Sequence, residues 1–322
     1  TTPLLPEYKL ALLGFGNVGQ AFLELLLEKQ TDLMTDPGLS FKVVGIASGS
    51  HGRAVNPEGF PLEELLKAYR NGKSLDQFSS TPLGDSQEFI QNCGADALVE
   101  TTPVNYQTGE PALDYLRSAL NTGIHAITAN KGPVVHGYRE LTTLAKQNGL
   151  SFYFESAVMD GAPVFSIARS GLPGAIIQGF SGILNSTTNL ILSRMEEGET
   201  QEEAISYALA IGIAESDPSG DVDGWDAAVK VAALVTVLMD IPLLPDQVER
   251  TGIRGLTPDL IHDAAEEGKR WKLVCHVARD ADSPRGIAAS IRPQMVDQGS
   301  NLYNISGTSA ILEITSDVLG KL

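Results

Sequence analysis

The chain has 322 residues, 43% of them hydrophobic and 20% charged, which is the composition of an ordinary globular protein large enough for two modest domains with a sizeable core. A formal charge of −17 and a pI near 4.6 exclude unspecific binding to nucleic acid or to an anionic membrane surface, since both need a basic face. Two cysteines, Cys93 and Cys275, are too few for a disulfide framework, and no export signal or run of membrane-spanning length is legible, so a reducing, cytoplasmic setting is expected.

YKLALL (8–13) reads as a buried strand that runs into GFGNVGQ (14–20), and AFLELLLEK (21–29) reads as the helix that follows. Gly-x-Gly-x-x-Gly between a strand and a helix is a dinucleotide-binding turn. Gly14 permits the tight bend, Gly16 lets the main chain approach a pyrophosphate, and Gly19 lets the helix pack on the strand. Free N–H groups at the helix start, around Phe15, Asn17 and Val18, favour the phosphates. FKVVGIAS (41–48), DALVETT (96–102) and HAITAN (125–130) read as further strands, with helices near 61–70, 109–120 and 137–147. This alternation predicts a parallel sheet with helices on both faces, a dinucleotide-binding domain over residues 1–150. At the tip of the second strand, ASGSHGR (47–53) carries Ser48, Ser50 and Arg53 but no carboxylate. An acid there would accept the ribose hydroxyls of NAD; hydroxyls and a guanidinium suit the 2′-phosphate of NADP better. The plainer reading is an arginine that merely solvates a loop.

ANKGP (129–133) puts Lys131 at the carboxyl end of a strand, the edge where open α/β sheets bind ligands, although a surface lysine is equally compatible with its position. FYFESAVMDGAP (152–163) reads as a strand, a Gly/Pro turn and a helix, and GFSGILNSTTNLILSRM (179–195) as strand, polar turn and helix. In that turn Asn185, Ser186 and Thr187 can cap the helix and leave N–H groups for a carboxylate, capping alone being the plainer role. AESDPSGDVDGWDAAVK (214–230) then crowds Glu215, Asp217, Asp221, Asp223 and Asp226 ahead of one base, Lys230. Asp226 and Lys230 are four apart and share a helix face, where an exposed pair contributes only about 0.3–0.5 kcal/mol. The helix AAVKVAALVTVLMD (227–240) is apolar nearly all round, so Lys230 is expected to be buried with partners or to point into a cleft. Beyond residue 245, a helix capped by Thr257, a strand through KLVCHVARD (272–280) and a neighbouring strand GIAASIRPQMV (286–296) are expected.

In their order, GFGNVG, VETTPVNYQTGEPA (99–112), TANKGP, FESAVMDGAP, GILNSTTN and AESDPSGDVDGWDAAVK resemble the homoserine dehydrogenase family, which interconverts homoserine and aspartate 4-semialdehyde with NAD(P) in threonine and methionine biosynthesis. The resemblance runs to about residue 240 and less distinctly beyond. It implies an α/β fold: an N-terminal Rossmann-type parallel sheet, then a C-terminal α+β domain (151–322) for catalysis, substrate binding and dimerisation. It implies Lys230 as catalytic lysine and Lys131 beside nicotinamide and substrate. It assigns Glu215 to the substrate's amino group, with Asp221, Asp226, Asn185 and Thr187 around the same substrate, and Thr101, Thr102 and Pro103 to the cofactor. It further implies a monovalent cation, sodium, held by the Glu155 side chain and main-chain carbonyls of Val158, Asp160 and Ala162, and a homodimer. The cofactor expected is NADP, with NAD as the alternative.

The sequence departs from the family at Met159-Asp160, where many relatives have small residues, and at Ser186, where glycine is commoner. Relatives continue past the last strands with a Gly-Pro-Gly-Ala-Gly stretch and a helix returning to the cofactor. How the nicotinamide pocket closes without that segment is left open by the sequence, and feedback through an appended domain is not expected. Three rival functions share the plan: a dehydrogenase for another small hydroxy acid or aldehyde, a non-catalytic NADP sensor, and a phosphorylating semialdehyde dehydrogenase. The last needs a thiolate near a base, a place that neither Cys93 nor Cys275 occupies. The five histidines form no ligand-spaced cluster for metal catalysis.

Overall fold

Glu7–Leu13 (β1) is an alternating apolar strand whose side chains serve two cores at once. In the computed structural model, which describes residues 6–36, 38–79, 81–214 and 217–322, Leu10 and Leu12 pack with Leu23 and Leu65, while Ala11 and Leu13 pack with Phe89, Ile90 and Ala119. Because successive side chains of a strand point to opposite faces, this split means that helices cover both sides. Leu23 belongs to Asn17–Thr35 (α1), which follows β1, and the strands Ser40–Ser48 (β2) and Gly52–Val55 (β3) come next. Leu65 lies in Leu62–Arg70 (α2), and Phe89 and Ile90 lie in Ser86–Asn92 (α3). Ala97–Glu100 (β4), Ala112–Asn121 (α4), His125–Thr128 (β5), Lys131–Gln147 (α5) and Phe152–Tyr153 (β6) complete the first unit.

Its sheet has the order β3-β2-β1-β4-β5-β6. All neighbours are parallel except β2 and β3, an antiparallel hairpin with Ser48 opposite Gly52. The sequence reading placed the domain boundary at residue 150. The chain divides later, into Thr1–Ala157 and Val158–Leu322, because Phe152 and Tyr153 still pair with Ala126 and Ile127 of β5. Helix α5 also begins earlier than expected. Gly132 and Pro133 resemble breakers, yet proline is tolerated in a first helical turn, where its missing N–H has no partner to lose. Asn130 caps the helix, its Oδ1 accepting the Gly132 N–H at 3.0 Å.

The second unit opens with a short helical stretch, Val164–Ser166 (α6), and the strand Ile177–Ile183 (β7). Four helices follow: Ser186–Glu196 (α7), Gln201–Ala210 (α8), Ser219–Val222 (α9) and Trp225–Leu238 (α10). Glu249–Arg250 (β8), Pro258–Glu266 (α11), Arg270–Arg279 (β9), Ile287–Val296 (β10), Ile311–Ser316 (β11) and Gly320–Lys321 (β12) form the remainder. Thr257 caps α11 through the Leu260 N–H, as its position predicted. The sheet order is β12-β11-β7-β9-β10-β8, antiparallel apart from the short parallel β8–β10 pair. Strand β7 is therefore interior to its sheet, flanked by β11 and β9, and its carboxyl end is held from both sides. Helix α10 packs against β9 and β10, with Ala227, Ala228, Val229, Val231, Ala232, Ala233, Leu234 and Val235 all buried. The architecture is α/β, a Rossmann-type unit followed by an α+β unit.

Candidate active site

The glycine turn has the geometry its motif requires. Gly14 has φ +97°, and its N–H donates to the Ala47 carbonyl at 3.0 Å. A side chain there would bring its Cβ to 2.5 Å from the main chain of Thr101, and one at Gly19 would come within 2.5 Å of the Gly14 oxygen. A Cβ on Gly16, in contrast, would meet nothing within 4 Å. The main chain faces open space at the one glycine a pyrophosphate must approach, and Asn17 and Val18 at the start of α1 are exposed beside it. Phe15 is different. Its ring is buried and meets Tyr69 edge-on at 4.7 Å, so only its main chain can serve a nucleotide.

Thr101, Thr102 and Pro103 follow β4. The Thr101 hydroxyl donates to the Gly14 carbonyl at 2.7 Å, tying this loop to the glycine turn. Thr102 turns the other way, to Glu100, which receives its N–H at 2.7 Å and its hydroxyl at 2.5 Å. Glu100 was absent from the sequence-derived site, yet it is wholly buried and also receives the Thr128 hydroxyl at 2.5 Å. Lys131 is the first residue of α5, half-buried, next to the Asn130 cap and just past the carboxyl end of β5.

At the tip of β2, Ser48 is buried with its Oγ 3.3 Å from the Tyr69 hydroxyl and 3.5 Å from Ser50 Oγ, which lies 2.7 Å from His51 Nδ1. Arg53 lies on β3 and reaches away from these hydroxyls along the chain, its Nη1 donating to the carbonyls of Gly84 at 2.5 Å and Leu83 at 3.4 Å. Part of the guanidinium is thus already occupied within the protein.

In the second unit the expected substrate residues assemble around one amide. Asn185 caps α7, its Oδ1 accepting the Thr188 N–H at 2.7 Å, while its Nδ2 donates to Asp221 Oδ1 at 2.6 Å and Asp226 Oδ2 at 2.9 Å. Lys230 Nζ lies 2.8 Å from the same Asp226 oxygen and donates to the Leu184 carbonyl at 2.8 Å. The Lys230 and Asp226 side chains are 15% and 16% exposed, which decides against the solvated surface pair. An ammonium has three protons, and these two partners take two of them. Burial raises the Asp221 carboxyl above its ordinary range, and the Asp226 charge pushes the same way against hydrogen bonds from Asn185 and Thr187. Thr187 is buried at the start of α7, with its hydroxyl 3.4 Å from the Ile213 carbonyl.

Not every acid of the 214–230 stretch belongs to this cluster. Asp223 is taken by Arg254, 2.5 Å from its Nε, and Asp217 accepts the Ser219 N–H at 3.0 Å. Glu215 lies outside the described residues. Cys275 of β9 is buried, and burial pushes its thiol up to about 12, against the pull of Lys230 nearby. Cys93 is buried too, and burial raises its thiol, so neither cysteine is set up as the thiolate that a phosphorylating semialdehyde dehydrogenase needs.

Of the expected cation ligands, Glu155 lies on a 3₁₀ turn that ends the first unit, and Val158, Asp160 and Ala162 lie on the turn that opens the second. Met159 and Asp160 have φ of 61° and 46°, two successive non-glycine residues in the left-handed region. The Met159 carbonyl accepts the Ala162 N–H at 3.0 Å, which closes the turn. A carboxylate with main-chain carbonyls is a hard oxygen donor set, the kind an alkali or alkaline-earth cation takes. Among the described residues, no group of three or more His, Cys, Asp or Glu side chains could hold a metal ion.

Two family models match: "Homoserine dehydrogenase, NAD binding domain" over residues 14–155 and "Homoserine dehydrogenase" over residues 163–322. The chain is 38% identical over 317 residues to an NAD(+)-dependent homoserine dehydrogenase of Pseudomonas canavaninivorans, covering 98% of this chain and 90% of that one. It is 32% identical over 312 residues to a homoserine dehydrogenase of Methanocaldococcus jannaschii, with 95% and 89% covered. Among solved structures, the homoserine dehydrogenase of Thiobacillus denitrificans superposes with a TM-score of 0.81 at 26% identity, over 99% of this chain and 69% of that one. That of Thermoplasma acidophilum gives 0.80 at 25% identity, over 98% and 92%.

Proposed function

The chain belongs to the homoserine dehydrogenase family, and from that premise we propose that Lys230 is the proton donor and acceptor of its reaction, with Asp226 and Asp221 holding the substrate's ammonium. The enzyme is an oxidoreductase of homoserine and aspartate 4-semialdehyde. A bound nicotinamide supplies or accepts the hydride. As hydride reaches the aldehyde carbon, negative charge develops on its oxygen, and an ammonium in hydrogen-bond reach stabilises that charge and delivers a proton. The observation that carries this reading is the half-buried Lys230 Nζ, held 2.8 Å from both Asp226 and the Leu184 carbonyl. Asn185, bridging the two carboxylates, fixes their separation. Glu215, from the same acidic stretch, is assigned to the substrate's amino group on sequence alone. Lys131, at the positive start of α5, is the second amine of the scheme, an electrostatic partner at the nucleotide edge of the sheet.

The nucleotide is NAD(P), bound through Gly14, Gly16, Gly19 and the loops carrying Ser48, Ser50 and Thr101–Pro103. The hydroxyl-lined tip of β2 favours NADP. The anchoring of Arg53 on Gly84, and the NAD(+) dependence printed for the Pseudomonas relative, favour NAD. We read the site as accepting both, with Ser48 and Ser50 carrying the NADP side and Arg53→Ala the test of any guanidinium share. Glu155 and the carbonyls of Val158, Asp160 and Ala162 are the donors for a monovalent cation in this reading, which predicts a melting temperature raised by NaCl and not by choline chloride. Homodimerisation, to be checked by sedimentation, and a cytoplasmic site of action complete the reading; no helix among the described residues is long and apolar enough to cross a membrane.

One assay tests the core of this proposal. NADPH or NADH consumption is followed with aspartate 4-semialdehyde, with other small aldehydes, and with none. Turnover confined to the semialdehyde is expected. Equal turnover of unrelated aldehydes, or nucleotide binding without any turnover, overturns it.

A further inference from the structure

Glu100 is a fully buried acid that takes no part in the scheme above, and burying a carboxyl is costly unless every oxygen finds donors. Its two oxygens are satisfied from opposite directions. Oε1 takes the N–H and hydroxyl of Thr102, and Oε2 takes the hydroxyl of Thr128. The Thr128 oxygen in turn accepts the Asn130 N–H at 2.9 Å, and Asn130 Nδ2 reaches back to the Thr102 carbonyl at 3.3 Å. Glu100, Thr128, Asn130 and Thr102 therefore close a ring that joins the tips of β4 and β5. The other amide atom of Asn130, Oδ1, caps α5 through the Gly132 N–H. Lys131 is the residue between the ring and that cap.

We infer that Glu100 is a positioning residue, which sets Lys131 by locking the β4 and β5 tips together; the inference rests on the role given to Lys131 above. The glycine turn is moored separately, through Thr101 and Gly14. The ring includes Thr102 of the nucleotide loop, so loosening it is expected to act mainly on Lys131, while the Thr101–Gly14 tie holds the glycine turn. Burial pushes the Glu100 carboxyl up, while hydrogen bonds from Thr102 and Thr128 pull it back. Glutamine replaces it imperfectly: the amide oxygen keeps the Thr102 N–H and hydroxyl, but the amide nitrogen faces Thr128, whose hydroxyl must turn from donor to acceptor while it also receives the Asn130 N–H.

The test uses the full chain carrying Glu100→Gln, Lys131→Ala, or both. Glu100→Gln is expected to lower kcat about 10- to 100-fold, with nucleotide Kd, read from NADPH fluorescence, within about 3-fold. If the ring acts through Lys131, adding Glu100→Gln to Lys131→Ala changes kcat by less than about 2-fold. Equal fold-losses in both backgrounds overturn the positioning role, as does an unchanged kcat in the single variant. A Lys131→Ala enzyme with parental turnover overturns the Lys131 assignment and this inference with it, whereas a slow one with additive losses overturns the inference alone. Should Glu100→Gln fail to fold, Thr128→Val opens the same ring one bond further on and must reproduce the kcat loss. Thr128→Ser keeps the hydroxyl and must preserve turnover; a slow Thr128→Ser enzyme argues against the ring.

Discussion

Lys230 and Asp226 meet across one turn of α10, Nζ 2.8 Å from Oδ2, on a helix whose other side chains at 227–229 and 231–235 are buried. Sequence spacing allows such a pair on any helix surface. Its seclusion gives it chemical meaning, because an ammonium shielded from water interacts more strongly with charge that develops on a neighbouring oxygen. Lys230→Ala is expected to lower kcat by a factor of about 10² to 10⁴, with nucleotide Kd changed less than about 3-fold. Steady-state kinetics with fluorescence titration of NADPH checks both, and near-parental turnover would falsify the assignment.

Asp221 couples the site to stability. Its carboxyl is raised above the unfolded value by burial and by Asp226, so the native state holds that proton more firmly than the unfolded chain does. The stability it contributes is complete below the unfolded carboxylate pKa and is lost as pH rises through the folded value. Asp221→Asn carries no such charge. It is expected to be more stable than the parent in urea at pH 8, to lose that advantage by pH 4, and to raise KM for homoserine about tenfold or more. A KM unchanged by the substitution removes Asp221 from the substrate site.

Met159 and Asp160 hold left-handed main-chain angles that cost a side-chain-bearing residue about 1–2 kcal/mol. Glycine adopts them freely but is looser in the unfolded chain. Met159→Gly or Asp160→Gly is expected to raise the urea midpoint, by up to about 1 kcal/mol of net stability. A lowered midpoint for both means that their side chains contribute more than the strain costs.

Arg53→Ala removes the guanidinium of the hairpin at the β2 tip. If NADP is preferred through it, the ratio of NAD to NADP dissociation constants falls toward one in the variant. Equal affinities already present in the parent, or a ratio untouched by the substitution, would remove Arg53 from nucleotide choice.

Much of this could be read from residues in a row. The alternating and continuous apolar runs of β1, β2, β4 and β5, the glycine turn, the Asn185 cap and the Asp226–Lys230 spacing are local signals, and local signals survive folding. What escaped depended on distant partners. Arg53 is drawn off by carbonyls thirty residues further along, which no inspection of ASGSHGR reveals. Glu100 looks like one more acid at a strand end until Thr128 folds beside it. The helical pattern in the sequence is plain only from residue 137, whereas the cap at Asn130 starts α5 at Lys131.

One partner of Lys230 is the peptide oxygen of Leu184, just past the end of β7. Substitution at that position exchanges the leucine side chain and leaves this oxygen in place. The nitrogen proposed to carry the proton is thus moored to main chain at the end of an interior strand. Drift in what the enzyme accepts is left to the acids and the amide opposite, whose side chains can be replaced one at a time while the proton-carrying end stays where the sheet holds it.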